Sequence, residues 1–298
     1  MPTMVMTGGT SGFGAIAAER LALTRNTRLL LGARRPAPVG EPIPLDLTEL
    51  ESVRAFAASV RERLGGAPVD ALVLNAGVVL PEAGGRTTDG FETTFAVNHL
   101  AHYLLARLLL PVLADGAIIV LTTSGAHDPA TRAGLQPPRH ADAELLAHPD
   151  RDPHRDPRPR KAGEHAYTAS KLCTVLTARS LAERVRRLTV IAYDPGQVFG
   201  TRLAKDLPIP LRTAWSLLGT PLLGRPLSRF NPHVNSRAAA GTTLADLALG
   251  LTAPPAGRTY ASLRRARLTW PHPSELARSD AQARALWSAS AALVGLPD

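Results

Sequence analysis

Met4-Val5-Met6-Thr7-Gly8-Gly9-Thr10-Ser11-Gly12-Phe13-Gly14-Ala15-Ile16 constrains this chain more than any other stretch. A short apolar run with a β-branched residue ends in a glycine-rich turn, and a helical pattern starts at once. Strand, glycine turn and helix together turn a glycine spacing into a dinucleotide signal. Glycine lets the backbone turn tightly and lie close to a pyrophosphate, while the free N–H groups and dipole of the following helix face its negative charge. Gly12-x-Gly14-x-x-Ala17 alone fits a general pattern that chance also produces; Thr7-Gly8-x-x-x-Gly12-x-Gly14 is sharper. The competing reading is an ordinary tight turn.

After the loop, strands and helices alternate. Ala15 to Leu23 reads as a helix and Arg28 to Leu31 as a buried strand, followed by Gly32-Ala33-Arg34-Arg35. An acid at the end of a second strand accepts from a ribose 2′-OH, whereas an arginine accommodates a 2′-phosphate. Arg34 and Arg35 stand there with no acid, which points to NADP(H). Ile43-Pro44-Leu45 reads as a third strand with Asp46-Leu47 at its end; Thr48 and Glu51 form a capping-box pattern, and Gly65-Gly66 closes the helix. Val69 to Leu74 is a near-continuous apolar run, as a buried parallel strand requires, ending in Asn75-Ala76-Gly77. Thr88 or Asp89 is positioned to cap a long helix that carries Asn98, and Ala117 to Leu121 is a fifth strand leading to Thr122-Thr123-Ser124. A sixth strand, Thr189 to Ala192, precedes Asp194-Pro195-Gly196-Gln197-Val198-Phe199-Gly200-Thr201. A helix over 236–250, a last strand near Thr259-Tyr260 and a closing helix from about Ser274 to Val294 complete the chain. The pattern predicts an α/β fold: a single Rossmann-type doubly wound domain over 1–298, with a seven-stranded, mostly parallel sheet and helices on both faces.

Two segments depart from this rhythm. Residues 127–162 are rich in Pro, Arg, Asp and His, with one short helix expected over Ala141 to Ala147. They read as an insertion over the active site, their histidines (His127, His140, His148, His154) mostly solvent-exposed and without metal-ligand spacing, so no metal is assigned. Residues 203–235 are apolar but broken by Pro and Gly and suit a substrate flap, with Trp215, Leu217, Leu218, Leu222, Leu223 and Phe230 pointing to a bulky, largely apolar substrate. Core packing or an oligomer contact would use the same residues.

A helix from Ala166 to Arg186 carries Tyr167 and Lys171 four residues apart, hence on one face. An ammonium beside a phenol favours phenolate and would lower the tyrosine pKa. A phenol so tuned gives or takes a proton at a carbonyl or alcohol oxygen. Ser124, leaving the carboxyl edge of a strand, is placed to hydrogen-bond the same oxygen.

Gly8, Gly12 and Gly14, then Asn75-Ala76-Gly77, Asn98, Ser124, Tyr167, Lys171 and Pro195-Gly196, come in the order and context of the short-chain dehydrogenase/reductase family, which the chain resembles over about its whole length. The resemblance implies that Tyr167 is the general acid in reduction, Lys171 lowers its pKa and holds the nicotinamide ribose, Ser124 orients the carbonyl, and Asn98 holds a water linking the lysine to solvent. It also implies cofactor contacts at Gly8, Thr10, Ser11, Gly12, Phe13, Gly14, Arg34, Asp46 beside the adenine, Leu47, Asn75, Ala76, Gly77, Tyr167, Lys171, Pro195, Gly196, Val198 and, at the carboxamide, Thr201. Within the family, Phe95 to Leu105 and Ser124-Gly125-Ala126-His127 look like the branch of retinol dehydrogenases and protochlorophyllide reductases. The reductases of that branch carry a cysteine directly after Pro-Gly, where this chain has Gln197.

The net charge of +9 is nearly all arginine, spread along the length, which reads as a solvated surface and not as a nucleic-acid site. No run reaches the length of a membrane span, one cysteine (Cys173) excludes an internal disulfide, and the start leads straight into a strand; a cytoplasmic protein without a signal peptide is expected. The expected partner is a hydrophobic small molecule; a homo-oligomer through the helices holding Asn98 and Tyr167 is common in the family, and the insertion stands in its way. Three functions fit: a carbonyl reductase or the reverse alcohol dehydrogenase, reduction of an activated C=C bond on the same site, and a catalytically silent NADP(H)-binding regulator.

Overall fold

A computed structural model describes residues 1–200, 213, 217, 218, 220 and 230–298. Along each central strand, apolar side chains alternate between two cores, as the period of two in a pleated strand demands. Val5, Leu72, Leu74, Ile119 and Val190 enter one core. Met4, Met6, Ala71, Val73, Val120 and Ile191 enter the other. A sheet apolar on both faces needs helices on both.

The strands are β1 (Thr3–Thr7), β2 (Arg28–Ala33), β3 (Glu41–Pro44), β4 (Val69–Leu74), β5 (Leu113–Thr122), β6 (Thr189–Asp194), β7 (Tyr260–Arg264) and β8 (Arg267–Thr269). They form one sheet of eight strands in the order β3-β2-β1-β4-β5-β6-β7-β8, parallel except for the β7–β8 hairpin. The eighth strand corrects the expected seven. Its turn, Arg265-Ala266, has both residues at positive φ (50° and 56°), a hairpin geometry made here without the glycine or asparagine that would announce it. The strand order reverses at β1 and β4, so the crevice beyond their carboxyl ends is where a ligand is expected.

Helices α1 (Gly12–Leu23) and, later in the chain, α6 (Arg237–Ala248) cover one face. The other face carries α2 (Leu50–Leu64), the composite α3, α5 (Pro159–Arg184) and α7 (Asp280–Leu293). The composite α3 begins at Thr93–Phe95, passes through a π turn at Ala96–Leu100 and continues as Ala101–Leu109. Helical structure over Thr93–Val112 is long and apolar enough to cross a membrane, contrary to expectation, but most of it is buried against this protein's own sheet.

Two caps differ from the sequence reading. The Thr48 hydroxyl donates to Asp46 at 2.8 Å, and the Thr48 N–H to the same oxygen at 3.0 Å, so Asp46 claims the residue that was to cap α2. Asp89, expected on α3, instead accepts from Leu50 N at 3.0 Å and caps α2. Glu92 caps α3, accepting from Thr94 N and Phe95 N at 2.9 and 2.7 Å.

The insertion is clamped onto the first turns of α5. Thr168 Oγ1 donates to the Gln136 carbonyl at 2.7 Å, Gln136 N donates to Glu164 at 3.1 Å, and Arg139 N donates to His165 Nε2 at 3.2 Å. The short helix α4 (Ala143–Ala147) matches the one expected there. Its arginines are spent on its own acids: Arg139 on Asp152, Arg155 on Asp150, and Arg158 on Asp156. Of the four histidines read as mostly exposed, only His154 is; His127 is fully buried and His140 and His148 are half-buried. Helix α5 starts at Pro159, seven residues before the expected Ala166, because proline suits a first helical position and Arg160 and Lys161 pair with Glu164 one turn on.

Candidate active site

The glycine loop, Gly8 to Gly14, joins β1 to α1 at the carboxyl edge of the sheet. Gly8 has φ +70°, and a methyl there would lie 2.6 Å from the Ala76 backbone. A methyl on Gly14 would collide with the Gly8 carbonyl and the Asn75 amide. These two glycines let the loop lie flat against the end of β4, and Asn75 locks it: Nδ2 donates to Gly8 O at 3.0 Å, while Oδ1 accepts from Thr122 Oγ1 at 3.0 Å. Thr10 is exposed, Ser11, Gly12 and Phe13 are half-buried, and Ser11 makes no side-chain hydrogen bond to the first turn of α1. The leading N–H groups of α1 are therefore left by its cap for an anion. Arg34 and Arg35 lie exposed where β2 ends, without an ion-pair or hydrogen-bond partner among the described residues. Asp46 and Leu47 are half-buried beyond β3.

Across the edge, α5 docks on β5 through Lys171. Its Nζ donates to Thr122 O at 3.0 Å, and its carbonyl accepts from Thr123 Oγ1 at 2.7 Å. Tyr167 lies one turn earlier, close enough to Ser124 for the two hydroxyls to influence each other, with its ring centroid 5.9 Å from Lys171 Nζ. Asn98 sits in the π turn of α3. Its Oδ1 accepts from Val78 N at 2.8 Å, and its Nδ2 donates to Val78 O and Ser170 Oγ, each at 3.0 Å. A methyl on Gly77 would lie 3.2 Å from Asn98 Oδ1 and 3.5 Å from Lys171 Nζ, so that glycine keeps open the space joining them. Ser124, Tyr167, Lys171 and Asn98 are thus brought together. Pro195, Gly196 and Val198 line the loop after β6, where Gln197 N donates to His233 O at 2.6 Å. Thr201 and most of the flap expected over 203–235 lie outside the described residues; of the flap's apolar set, Leu217 and Phe230 are described and exposed, and Leu218 is described and half-buried.

One expectation is reversed. Burial pushes the Tyr167 phenol up to about 12, outweighing the lowering influence of the nearby Ser124. Lys171 is itself desolvated, which brings it down to about 8, and it spends a hydrogen on the Thr122 carbonyl. Without a bound nucleotide the lysine does not produce a phenolate, and the tyrosine is held in its acid form.

Residues 2–133 match the short chain dehydrogenase family. A protein of Streptomyces sp. strain C5 assigned as a daunorubicin C-13 ketoreductase is 32% identical over 98% of this chain and 92% of its own length. The chain belongs to the short-chain dehydrogenase family. Protochlorophyllide reductase A of Oryza sativa subsp. japonica is 31% identical over 98% of this chain and 80% of its own. A crystal structure of a Mycobacterium paratuberculosis protein superposes with a TM-score of 0.66 at 27% identity, covering 99% of this chain and 94% of the other. As a short-chain dehydrogenase the protein is an oxidoreductase that uses NAD(P)(H) and a small-molecule substrate. The uncapped α1 and the close approach of Gly8 and Gly14 fit the pyrophosphate of such a nucleotide.

The short-chain dehydrogenase site has two supports that sequence reasoning missed. Thr7 Oγ1 accepts from Asn75 N at 3.1 Å and Ala76 N at 3.2 Å, so its own hydrogen goes to His102 Nε2 at 3.0 Å. That network assigns the proton of the neutral imidazole to Nδ1, which donates to the Asn98 carbonyl at 3.3 Å. His102 therefore ties the π turn to the glycine loop; burial first, and the nearby Lys171 charge, bring it down to about 4. The second support is Asp194. Burial works against its charge, but Arg264, Ser262 and the Gly196 N–H together hold its carboxyl below the usual carboxylate range. The signal available in sequence was a polar residue at each strand's last position, Thr7 and Asp194, where an apolar run should otherwise continue.

Proposed function

We propose that this short-chain dehydrogenase is an NADPH-dependent reductase of a carbonyl group on a bulky, largely apolar small molecule. The observation that carries it is the buried Tyr167 phenol, set beside Ser124 and Lys171 at the sheet edge that also bears the glycine loop. Bound there, reduced nicotinamide supplies the hydride to the carbonyl carbon. Ser124 orients the carbonyl oxygen, and Tyr167 gives that oxygen its proton, which runs downhill because an alkoxide is far more basic than a phenolate. Lys171 lies beside the phenol, placed to hold a ribose hydroxyl, and Asn98 fixes the helix turn facing it.

NADP(H) preference rests on Arg34. A charge-assisted hydrogen bond to a 2′-phosphate is worth about 1.5–3 kcal/mol, roughly ten- to a hundredfold in affinity. Reduction of an activated C=C bond is the second reading, favoured by the likeness to protochlorophyllide reductases along nearly the whole chain. Against it stands Gln197, where the resemblance implies a cysteine. A silent nucleotide-binding regulator is disfavoured because all four site residues are present and assembled. An assembly through α3 and α5 would have to accommodate α7, which already occupies part of their outer face: Tyr103 donates to the Trp287 carbonyl at 3.0 Å, and His99 Nε2 lies 2.8 Å from Ser290 Oγ. The deciding experiment is NADPH oxidation by the purified protein against a panel of hydrophobic ketones, aldehydes and enones. Turnover of ketones supports the first reading, of enones alone the second, and tight NADPH binding with no turnover the third.

A further inference from the structure

His127 is fully buried in the turn Gly125–His127 that follows Ser124. Its Nε2 faces the backbone N–H of Ser274 at 3.4 Å, a group that can only donate, so Nε2 is the bare nitrogen of the ring. Its Nδ1, 2.7 Å from the Ser124 carbonyl, therefore carries the hydrogen and donates it. Burial holds the imidazole below its usual range, against the pull of the Ser124 carbonyl and of Asp194 and Asp128. Tyr260 of β7 stands edge-on to the ring, with centroids 5.1 Å apart. Ser274 is itself buried, and its Oγ accepts from Ala277 N at 3.3 Å. The imidazole thus ties Ser124 to β7 and to the segment that leads into α7.

The Ser124 carbonyl already accepts from His127 N at 3.2 Å, which is all that a turn of three residues requires. The second, shorter bond falls on the same oxygen and keeps the Ser124–Gly125 peptide plane from rotating. Ser124 Oγ accepts from Ala126 N at 3.2 Å across the same turn, so its own hydrogen is left for another oxygen. We propose that His127 is a positioning residue for the reduction: by holding the Ser124 carbonyl it aims the Ser124 hydroxyl at the substrate oxygen. Displacing a positioned group by about 1 Å costs on the order of a hundredfold in rate, so one buried hydrogen bond behind Ser124 has leverage on turnover. None of these contacts reaches the glycine loop, so nucleotide binding does not depend on them. The inference rests on the reductase reading for the substrate oxygen, but not for the tie between His127 and Ser124.

The test has a spectroscopic arm and a kinetic arm, both on the full-length protein. A long-range proton–nitrogen NMR spectrum of the wild type, with the His127 signals assigned by their loss in His127→Asn, shows Nδ1 protonated and Nε2 bare at neutral pH. With a reducible carbonyl from the panel, His127→Leu lowers kcat about ten- to a hundredfold, while the Kd for NADPH stays within about twofold. His127→Asn, whose amide nitrogen can take the place of Nδ1, brings kcat back to within about fivefold of wild type. His127→Gln, whose amide nitrogen takes the place of Nε2, does not. In a Ser124→Ala background, followed under single-turnover conditions, His127→Leu costs less than about twofold more, because the hydroxyl it aims is gone. A bare Nδ1, a kcat in His127→Leu within about twofold of wild type, or an equal loss with and without the Ser124 hydroxyl overturns the proposal and leaves His127 a purely structural residue. Should His127→Leu not fold, His127→Gln is read by the same criteria, and a Gln variant as active as the Asn variant overturns the proposal. A wild type that reduces no carbonyl sinks the reductase reading alone, since the spectrum still decides whether His127 holds Ser124.

Discussion

Lowering the pH from 7 to 5 should strip this protein of a large part of its stability through buried histidines, two of them on α3. His102 and His99 are buried and neutral, brought down by desolvation to about 4 and about 3 from 6.5. Between these values and 6.5 the unfolded chain binds protons that the folded chain refuses, so stability falls as pH drops through 6.5 and the loss is complete only below the folded values. At pH 5 the cost is about 2 kcal/mol for each group, and His165 on α5, which burial brings down to about 4, adds about 2 kcal/mol more, making roughly 6 kcal/mol together against a usual total of about 5–15 kcal/mol. The carboxylates held low by arginine partners enter only lower in pH, the Glu92 carboxyl, raised by burial, works in the opposite sense, and Lys171, depressed to about 8, acts in a higher window, where stability rises with pH from about 8 to 10.5. The perturbation is His102→Gln, whose amide can accept from Thr7 and donate to the Asn98 carbonyl without titrating. Urea unfolding at pH 7 and pH 5, followed by tryptophan fluorescence, should show the wild type losing roughly 6 kcal/mol and the variant roughly 4 kcal/mol. Equal losses in the two proteins, or a wild type whose stability does not change, would refute the argument that burial holds His102 neutral in the folded protein.

Three further outcomes are expected. Tyr167→Phe should bind NADPH nearly as wild type but lose turnover by about a hundredfold or more, measured by NADPH absorbance under saturating cofactor; undiminished turnover would remove Tyr167 from the mechanism. Arg34→Ala should weaken NADPH binding roughly ten- to a hundredfold and leave NADH within about twofold, read by fluorescence titration. Trp287→Ala should cost about 3–5 kcal/mol in urea unfolding, because the ring is buried between the guanidinium groups of Arg107 and Arg184, 4.9 and 4.8 Å from their carbons, and edge-on to Tyr103.

The parts of this fold that could be read from sequence are those that repeat or stand at fixed offsets. Strands alternating toward two cores, Gly65 ending α2 and the Tyr167–Lys171 spacing all follow from local rules. What escaped depends on competition between neighbours. The Thr48–Glu51 pattern was locally sound, yet Asp46 took the hydroxyl. The π turn at Ala96–Leu100 shifts the helix phase by a fraction of a turn, too little for apolar spacing to show, yet it places Asn98. Asp194-Pro195-Gly196 reads only as the start of a loop after a strand, and only the folded sheet brings Arg264, Ser262 and Tyr260 to Asp194 from some 66 to 70 residues away. The acid form of Tyr167 escaped for the same reason: a spacing reports the nearby cation but not the loss of water around both groups.

Helix α7 has a consequence for how the molecule is made. Arg179 reaches Asp280 and the Ala277 carbonyl, Arg54 the Val294 carbonyl, and Tyr103 the Trp287 carbonyl. The two helices that bear Asn98 and Tyr167 therefore wait, during synthesis, for α7 to leave the ribosome before their outer side is sealed. A nascent chain stalled before α7 carries Asn98, Ser124, Tyr167 and Lys171 but exposes the apolar flank that α7 covers, making it a target for chaperones until α7 emerges.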